Sequence, residues 1–292
     1  MLDKAPDIID WNFCQENSGR LLAEGICALR SSTPRNPQQS QITGPGNYLV
    51  VLDGNPLYVG EGINLSSRLK QQFRTNTSTF YKNYTRTDPN PQADITEFQV
   101  QFMETRIGRK EIEDFGIVNI PTKLNRFQLD KRELLSPVAD SELWSVVQSQ
   151  YQEILAQGED EFFSQPPCPM FDAVPNNCAG IYAVWAADCS TPIYIGESSD
   201  VAKRHRTHCK HTYFSALRRH IGTSILGFEL QLRKGKKRYF TESEDGLVTS
   251  YLRSCRYGYL PVAFGRMEIE EHLIRKHHPR LNRKGNNLMT VG

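Results

Sequence analysis

The sequence predicts an α+β protein of two tandem small domains, each a three-stranded antiparallel sheet flanked by helices. One motif occurs twice: Leu57-Tyr58-Val59-Gly60-Glu61 with Asn64, Leu65 and Arg68, and Ile193-Tyr194-Ile195-Gly196-Glu197 with Asp200, Val201 and Arg204, at one constant offset. Downstream, Glu113 precedes Asn125 by 12 residues, and Glu270 precedes Asn282 by the same 12. Within each copy the hydrophobic pattern runs from strand alternation to helical spacing and back, so one supersecondary unit is present twice.

Residues 1–45 read as a leading helix and loop. The helix spans 16–31 and carries Leu21, Leu22, Ile26 and Leu29, and a Ser/Thr/Pro/Gln/Gly-rich stretch follows from Ser31 to Gly46. Residues 46–130 form the first domain. Tyr48 to Leu52, then Asp53-Gly54, then Pro56 to Val59 is a hairpin signal, and Ile181 to Trp185 with Ile193 to Ile195 repeats it around a longer turn. Asn64 and Asp200 stand where an N-cap would open a helix; Leu65, Leu69 and Phe73 then recur at helical spacing, with Arg68 one residue off that stripe. Phe98, Val100 and Phe102 alternate as a third strand, and Phe228, Leu230 and Leu232 read as its counterpart. A final helix in each copy places Glu113 with Ile117, or Glu270 with Ile274, on one face, and Pro121 or Pro279 stops it. Residues 131–178 read as a connecting helix, Ser141 to Gln157, and a Pro/Asn-rich boundary at 166–177. Residues 179–292 form the second domain, with a basic insertion and an additional helix from about Glu244 to Arg253.

The chain of 292 residues has length for two cores. No run of 18 apolar residues and no basic-then-apolar leader is present, so no membrane association is expected. Seven scattered cysteines without a Cys-x-x-Cys pair fit a reducing cytoplasm better than a disulfide framework or a zinc ribbon. The net charge of +2 divides unevenly, −6 over residues 1–170 and +8 over 171–292. Residues 203–238 hold eleven Lys/Arg against the single acid Glu229: Arg204 together with Lys203, Arg206, Lys210, Arg218, Arg219, Arg233, Lys234, Lys236, Lys237 and Arg238. That density is expected of a surface that tracks phosphates.

Upstream of the repeated motif stand Gly46-Asn47-Tyr48 and Gly180-Ile181-Tyr182, so each copy carries Tyr, Tyr, Arg, Glu and Asn in one order. This set resembles the GIY-YIG nuclease superfamily, over roughly residues 46–126 and 180–284. The second copy has both tripeptides literally; the first departs to Gly-Asn-Tyr and Tyr-Val-Gly, and Gly116 weakens its last helix. The resemblance implies two GIY-YIG-like modules, an endonuclease hydrolysing DNA phosphodiester bonds, DNA as partner, Mg²⁺ or Mn²⁺ as cofactor and no organic cofactor. It leaves a homodimer open.

Such chemistry needs a nucleophilic water, counter-charge at the phosphate and stabilisation of the leaving oxygen. Glu270 and Glu113 suit Mg²⁺, which keeps several waters. Arg204 and Arg68 offer a bidentate fork to phosphate oxygens. Tyr182 with Tyr194, and Tyr48 with Tyr58, are implied as base or water-orienting groups, with the roles undivided. Asn282 and Asn125 would brace the site or hold the phosphate. His208 is a phosphate or leaving-group contact by the same resemblance, with Gln72 in its place in the first copy. His205, His208, Cys209 and His211 match no familiar zinc spacing. Glu61 and Glu197 read as turn carboxylates ahead of second metal-directed acids. Three readings follow: both sites cut, and one chain severs both strands; only the C-terminal site cuts; or the protein binds nucleic acid without turnover. A restriction-like defence role is preferred for so compact a chain.

Overall fold

The structure, a computed structural model, describes residues 9–37, 43–74, 78–87, 96–125, 142–233 and 235–282. The chain divides into two compact units, Met1–Ile154 and Leu155–Gly292.

In the first unit, α1 (Trp11–Glu16) is capped by Asp10, whose carboxylate accepts from the Phe13 amide at 2.7 Å. It precedes α2 (Ser18–Ser31), which buries Leu21, Leu22, Ile26 and Leu29. Strands β1 (Gly46–Leu52) and β2 (Asn55–Gly62) are joined by Asp53-Gly54, both at positive φ (49° and 74°), the tight turn that matches strand twist. Helix α3 (Leu65–Gln72) opens on the Asn64 side chain, 2.9 Å from the Ser67 amide. There follow α4 (Thr79–Thr87), β3 (Gln99–Glu104), α5 (Arg109–Asn119) and α6 (Glu142–Ser149). The sheet is antiparallel with order β2-β1-β3. Its central strand β1 is apolar on both faces, as burial on both sides demands. Tyr48 and Val50 pack on Leu65, Leu69, Phe80 and Tyr84. On the opposite face Gly116 lets α5 approach Val59 and Ile26 closely: a Cβ there would lie 3.1 Å from Ile26 and 3.2 Å from Val59. Gly116, read as a weakness of the helix, sits where a side chain would press tightly on its neighbours.

The second unit follows α7 (Tyr151–Ser164) with β4 (Cys168–Pro169), β5 (Gly180–Trp185), β6 (Tyr194–Ser198) and α8 (Val201–Lys210). Next come α9 (Ala216–His220), a π-helical turn Ile221–Ile225, β7 (Gln231–Arg233), β8 (Lys236–Tyr239), α10 (Glu242–Arg253), β9 (Arg256–Pro261) and α11 (Arg266–His277). Asp200 caps α8, and a Thr241/Glu244 capping box starts α10. Tyr182 and Val184 face a core of Val201, Leu217, Ile221, Val248 and Leu252, while Trp185 stacks on Phe162 of α7, ring centroids 6.1 Å apart.

Several expectations are corrected. The third strand of the second unit is β9, which pairs with β5 (Tyr182 opposite Tyr259), and not Phe228 to Leu232. Phe228 and Leu230 pack on the core outside any strand, and Leu232 is 67% exposed in a separate β7–β8 hairpin. The extra length of this copy therefore precedes its third strand. The short β4 adds a fourth strand, giving order β4-β9-β5-β6. The single connecting helix is two helices, α6 and α7, broken at Gln150. Segment 166–177 lies within the second unit, where Cys168 and Pro169 pair with β9. Among the described residues no helix is long and apolar enough to cross a membrane.

Candidate active site

In the second unit the β5–β6 register sets Gly196 opposite Tyr182 and Tyr194 opposite Val184, so both tyrosines lie on one face, ring centroids 6.2 Å apart. A Cβ on Gly196 would sit 2.5 Å from the Tyr182 hydroxyl, so only glycine leaves room for the ring. Helix α8 presents Arg204 and His208, four residues apart, to this face. The Tyr182 hydroxyl is 2.8 Å from His208 Nε2, and His208 Nδ1 is 2.7 Å from Ser215 Oγ. Ser215 is the α9 cap and also accepts from the Arg218 amide. Burial, reinforced by Arg204, pulls the His208 imidazole down to about 3. A neutral ring donates at one nitrogen and accepts at the other, so Tyr182, His208 and Ser215 form one directional hydrogen-bonded chain. Burial also raises both tyrosines above their ordinary value, and Arg204 opposes this in each. The tyrosines are therefore neutral, because desolvation is the larger effect.

Glu270 enters from α11. Burial, with Glu197 nearby, pushes its carboxyl up to about 8, and it makes no ion pair among the described residues. Glu197 is a strand residue rather than a turn residue, and its carboxylate lies 2.7 Å from Nε of the buried Arg266 at the head of α11. Asn282 uses both ends of its amide on one backbone unit: Oδ1 accepts from the Ile195 amide at 2.9 Å and Nδ2 donates to the Ile195 carbonyl at 2.7 Å. It braces the Tyr194 strand, and its second Nδ2–H is not used in these bonds.

Lys203, Arg206 and Lys210 are exposed on α8, and Arg233, Lys236 and Arg238 on the β7–β8 hairpin. Arg219 donates to the carbonyls of Thr212 and Tyr213 and lies within the field of Tyr194. Lys234 and the Lys237 side chain lie outside the described residues. Arg218 does not face a phosphate: it is wholly buried, bonded to Thr212, the His208 and Asp245 carbonyls and Thr249, and ion-paired with Asp245 at 3.0 Å. His205 bonds the Met170 carbonyl, and among the described residues no group of three or more His, Cys, Asp or Glu is placed to hold a metal ion.

The first unit repeats this frame with altered chemistry. Tyr48 and Tyr58 stack at 6.1 Å. Asn125 clamps Val59 through both amide atoms, at 2.8 and 2.9 Å. Arg109 lies 4.0 Å from Glu61, and Asn47 donates to the Arg109 carbonyl at 2.9 Å. Gln72 replaces His208 and accepts from Ser78 Oγ at 3.2 Å and the Phe80 amide at 3.3 Å. Arg68 is half-buried, beside both tyrosines. Glu113 is ion-paired with Lys110 at 2.5 Å, and Lys110 also holds Asp114 at 2.9 Å. The residue corresponding to Lys110 in the second unit is Met267.

Sequence reasoning missed Arg109, Arg266, Lys110 and Ser215. The first two had a signal: Gly108-Arg109-Lys110-Glu111-Ile112-Glu113 and Gly265-Arg266-Met267-Glu268-Ile269-Glu270 repeat Gly-Arg-x-Glu-Ile-Glu, and would also have located β9.

Residues 180–291 match the family model described as the GIY-YIG catalytic domain. No curated protein and no solved structure matches the chain. The second unit thus carries a GIY-YIG catalytic domain, which supports a nuclease-type endonuclease with a DNA substrate.

Proposed function

We propose that the protein is a metal-dependent DNA endonuclease whose cutting site is that of the second unit, the first unit being a GIY-YIG-like module that does not cut. One observation carries this reading. Glu270 is a carboxyl pushed up to about 8 with no ion pair among the described residues, whereas the corresponding Glu113 is ion-paired with Lys110. The donor set of the second unit, Glu270 in the field of Glu197, fits a hydrated divalent ion that keeps most of its waters. Mg²⁺ or Mn²⁺ held by Glu270 would supply positive charge at the phosphate and the leaving oxygen. In the first unit the Lys110 ammonium already neutralises the equivalent carboxylate.

Arg204 presents a planar fork to the non-bridging phosphate oxygens, where charge grows in the transition state. Tyr194, the more exposed of the pair, orients the attacking water. The Tyr182 O–H donates a hydrogen bond to His208 Nε2 and His208 Nδ1–H donates to Ser215 Oγ, which leaves the Tyr182 oxygen free to accept. His208, buried and weakly basic, holds Tyr182 rather than taking a proton itself. Asn282 keeps β6 in register beneath both rings.

The test is cleavage of supercoiled plasmid with and without Mg²⁺ or Mn²⁺. Glu270→Ala is expected to abolish cutting, and Glu113→Gln to leave the rate within about twofold. Conversion of linear product to nicked circles by Glu113→Gln would establish the two-site reading instead. Salt-sensitive binding without product would mark a non-catalytic DNA-binding protein.

A further inference from the structure

The loop between α8 and α9, the β7–β8 hairpin and the start of α10 form an open cavity of about 660 Å³ in the second unit, within the ~300–1,000 Å³ of small-ligand sites. Its lining combines aromatic rings with charged side chains. Tyr213 and Tyr239 lie 5.2 Å apart, and Phe214, edge-on to Tyr213 at 4.6 Å, is 65% exposed. Lys210 and Arg233 supply positive charge at the same cavity, and Glu242 adds an exposed carboxylate. The cavity's other acid, Asp245, is already held by Arg218. Arg219 of α9 donates to the Tyr213 carbonyl at 2.7 Å and so ties the cavity wall to α9.

We propose that this cavity receives one unpaired nucleobase of the DNA being cut, stacked on Phe214 with its hydrogen-bonding edge toward Glu242 and its phosphates beside Lys210 and Arg233. Each wall matches one part of a nucleotide. Aromatic rings take the π-face of any base. Cations take the backbone. A carboxylate accepts from base N–H groups, and guanine, which presents two adjacent donors, fits it better than thymine. In intact duplex the faces are stacked and the edges paired, so the cavity selects DNA with a bulged, mismatched or single-stranded nucleotide near the cut, whose extrusion costs least. The inference rests on the DNA-cutting reading for its ligand class but concerns binding alone.

The experiment is fluorescence anisotropy in EDTA, where no cutting occurs, with a fully paired duplex, the same duplex carrying one bulged guanine, and one carrying one bulged thymine. The wild-type protein is expected to bind the guanine bulge about tenfold more tightly than the paired duplex. Phe214→Ala, an exposed position that leaves the core intact, should abolish that preference without weakening binding to paired duplex. Glu242→Gln should erase the difference between guanine and thymine. Equal binding of paired and bulged duplex by the wild type, or an undiminished preference in Phe214→Ala, would overturn the proposal. A protein that cuts plasmid but shows no bulge preference overturns this inference alone; one that shows the preference but never cuts overturns the proposed function alone.

Discussion

At the residue scale, small chemical differences separate two sites built on one frame. Arg204→Lys keeps a charge but loses the planar fork, and is expected to lower kcat about 10²- to 10³-fold in the plasmid assay with little change in melting temperature. His208 carries a pH signature. Its folded pKa of about 3 lies below the ordinary 6.5, so the folded state binds fewer protons between those values. Its contribution to stability is full above about pH 6.5 and is lost as pH falls toward 3. His208→Gln, the residue the first unit uses, should therefore lose less stability than the wild type between pH 7 and pH 4 in urea titrations. A drop as steep as the wild type's would show that His208 is not held neutral. Glu270 has the opposite sign. Below about pH 8 a proton competes with any cation at its carboxyl, so the rise in melting temperature produced by Mg²⁺ should be larger at pH 8.5 than at pH 6.5, and absent in Glu270→Gln.

At the element scale, what holds the site together differs from what faces the substrate, although both are basic residues in one run of sequence. Arg218 ties the start of α9 to the loop after α8 and to α10, through Thr212, the His208 carbonyl, Asp245 and Thr249. Arg218→Ala should cost about 3 kcal/mol in chemical denaturation, because buried acceptors lose their donor. Lys203→Ala, exposed on α8, should leave stability within about 0.5 kcal/mol and instead reduce the salt dependence of DNA binding by roughly one phosphate's share. Helices α7 and α11 are joined by the buried Glu159, which meets His272 at 2.8 Å, Lys276 at 2.9 Å and His277 at 2.8 Å. Burial opposes ionisation of Glu159, but these three hydrogen bonds together hold its carboxyl below the ordinary value. The stability it contributes is thus present above about pH 4.5 and lost on further acidification.

At the scale of the whole molecule, the repeat was legible because the chemistry it carries needs named residues at set spacings. The hairpins, the Asn64 and Asp200 caps and the final helices all follow from local pattern and turn chemistry, and in the second unit Tyr182, Tyr194, Arg204 and His208 share one face of the sheet. The third strand of that unit was not legible: Phe228, Leu230 and Leu232 alternate like a strand, and alternation alone does not say whether a sheet edge is open to receive it. The basic run was equally ambiguous, since an arginine in a cavity and an arginine in solvent read the same. By itself the sequence determined two copies of a motif, the hairpin-then-helix opening of each and the identities of the tyrosines, arginines and acids, because these depend on spacing along the chain. Only the tertiary structure decided that β9 pairs with β5, that Arg218 is structural, and that Glu113 is ion-paired with Lys110 while Glu270 has no ion pair among the described residues, because burial and pairing are set by what packs across the chain rather than along it.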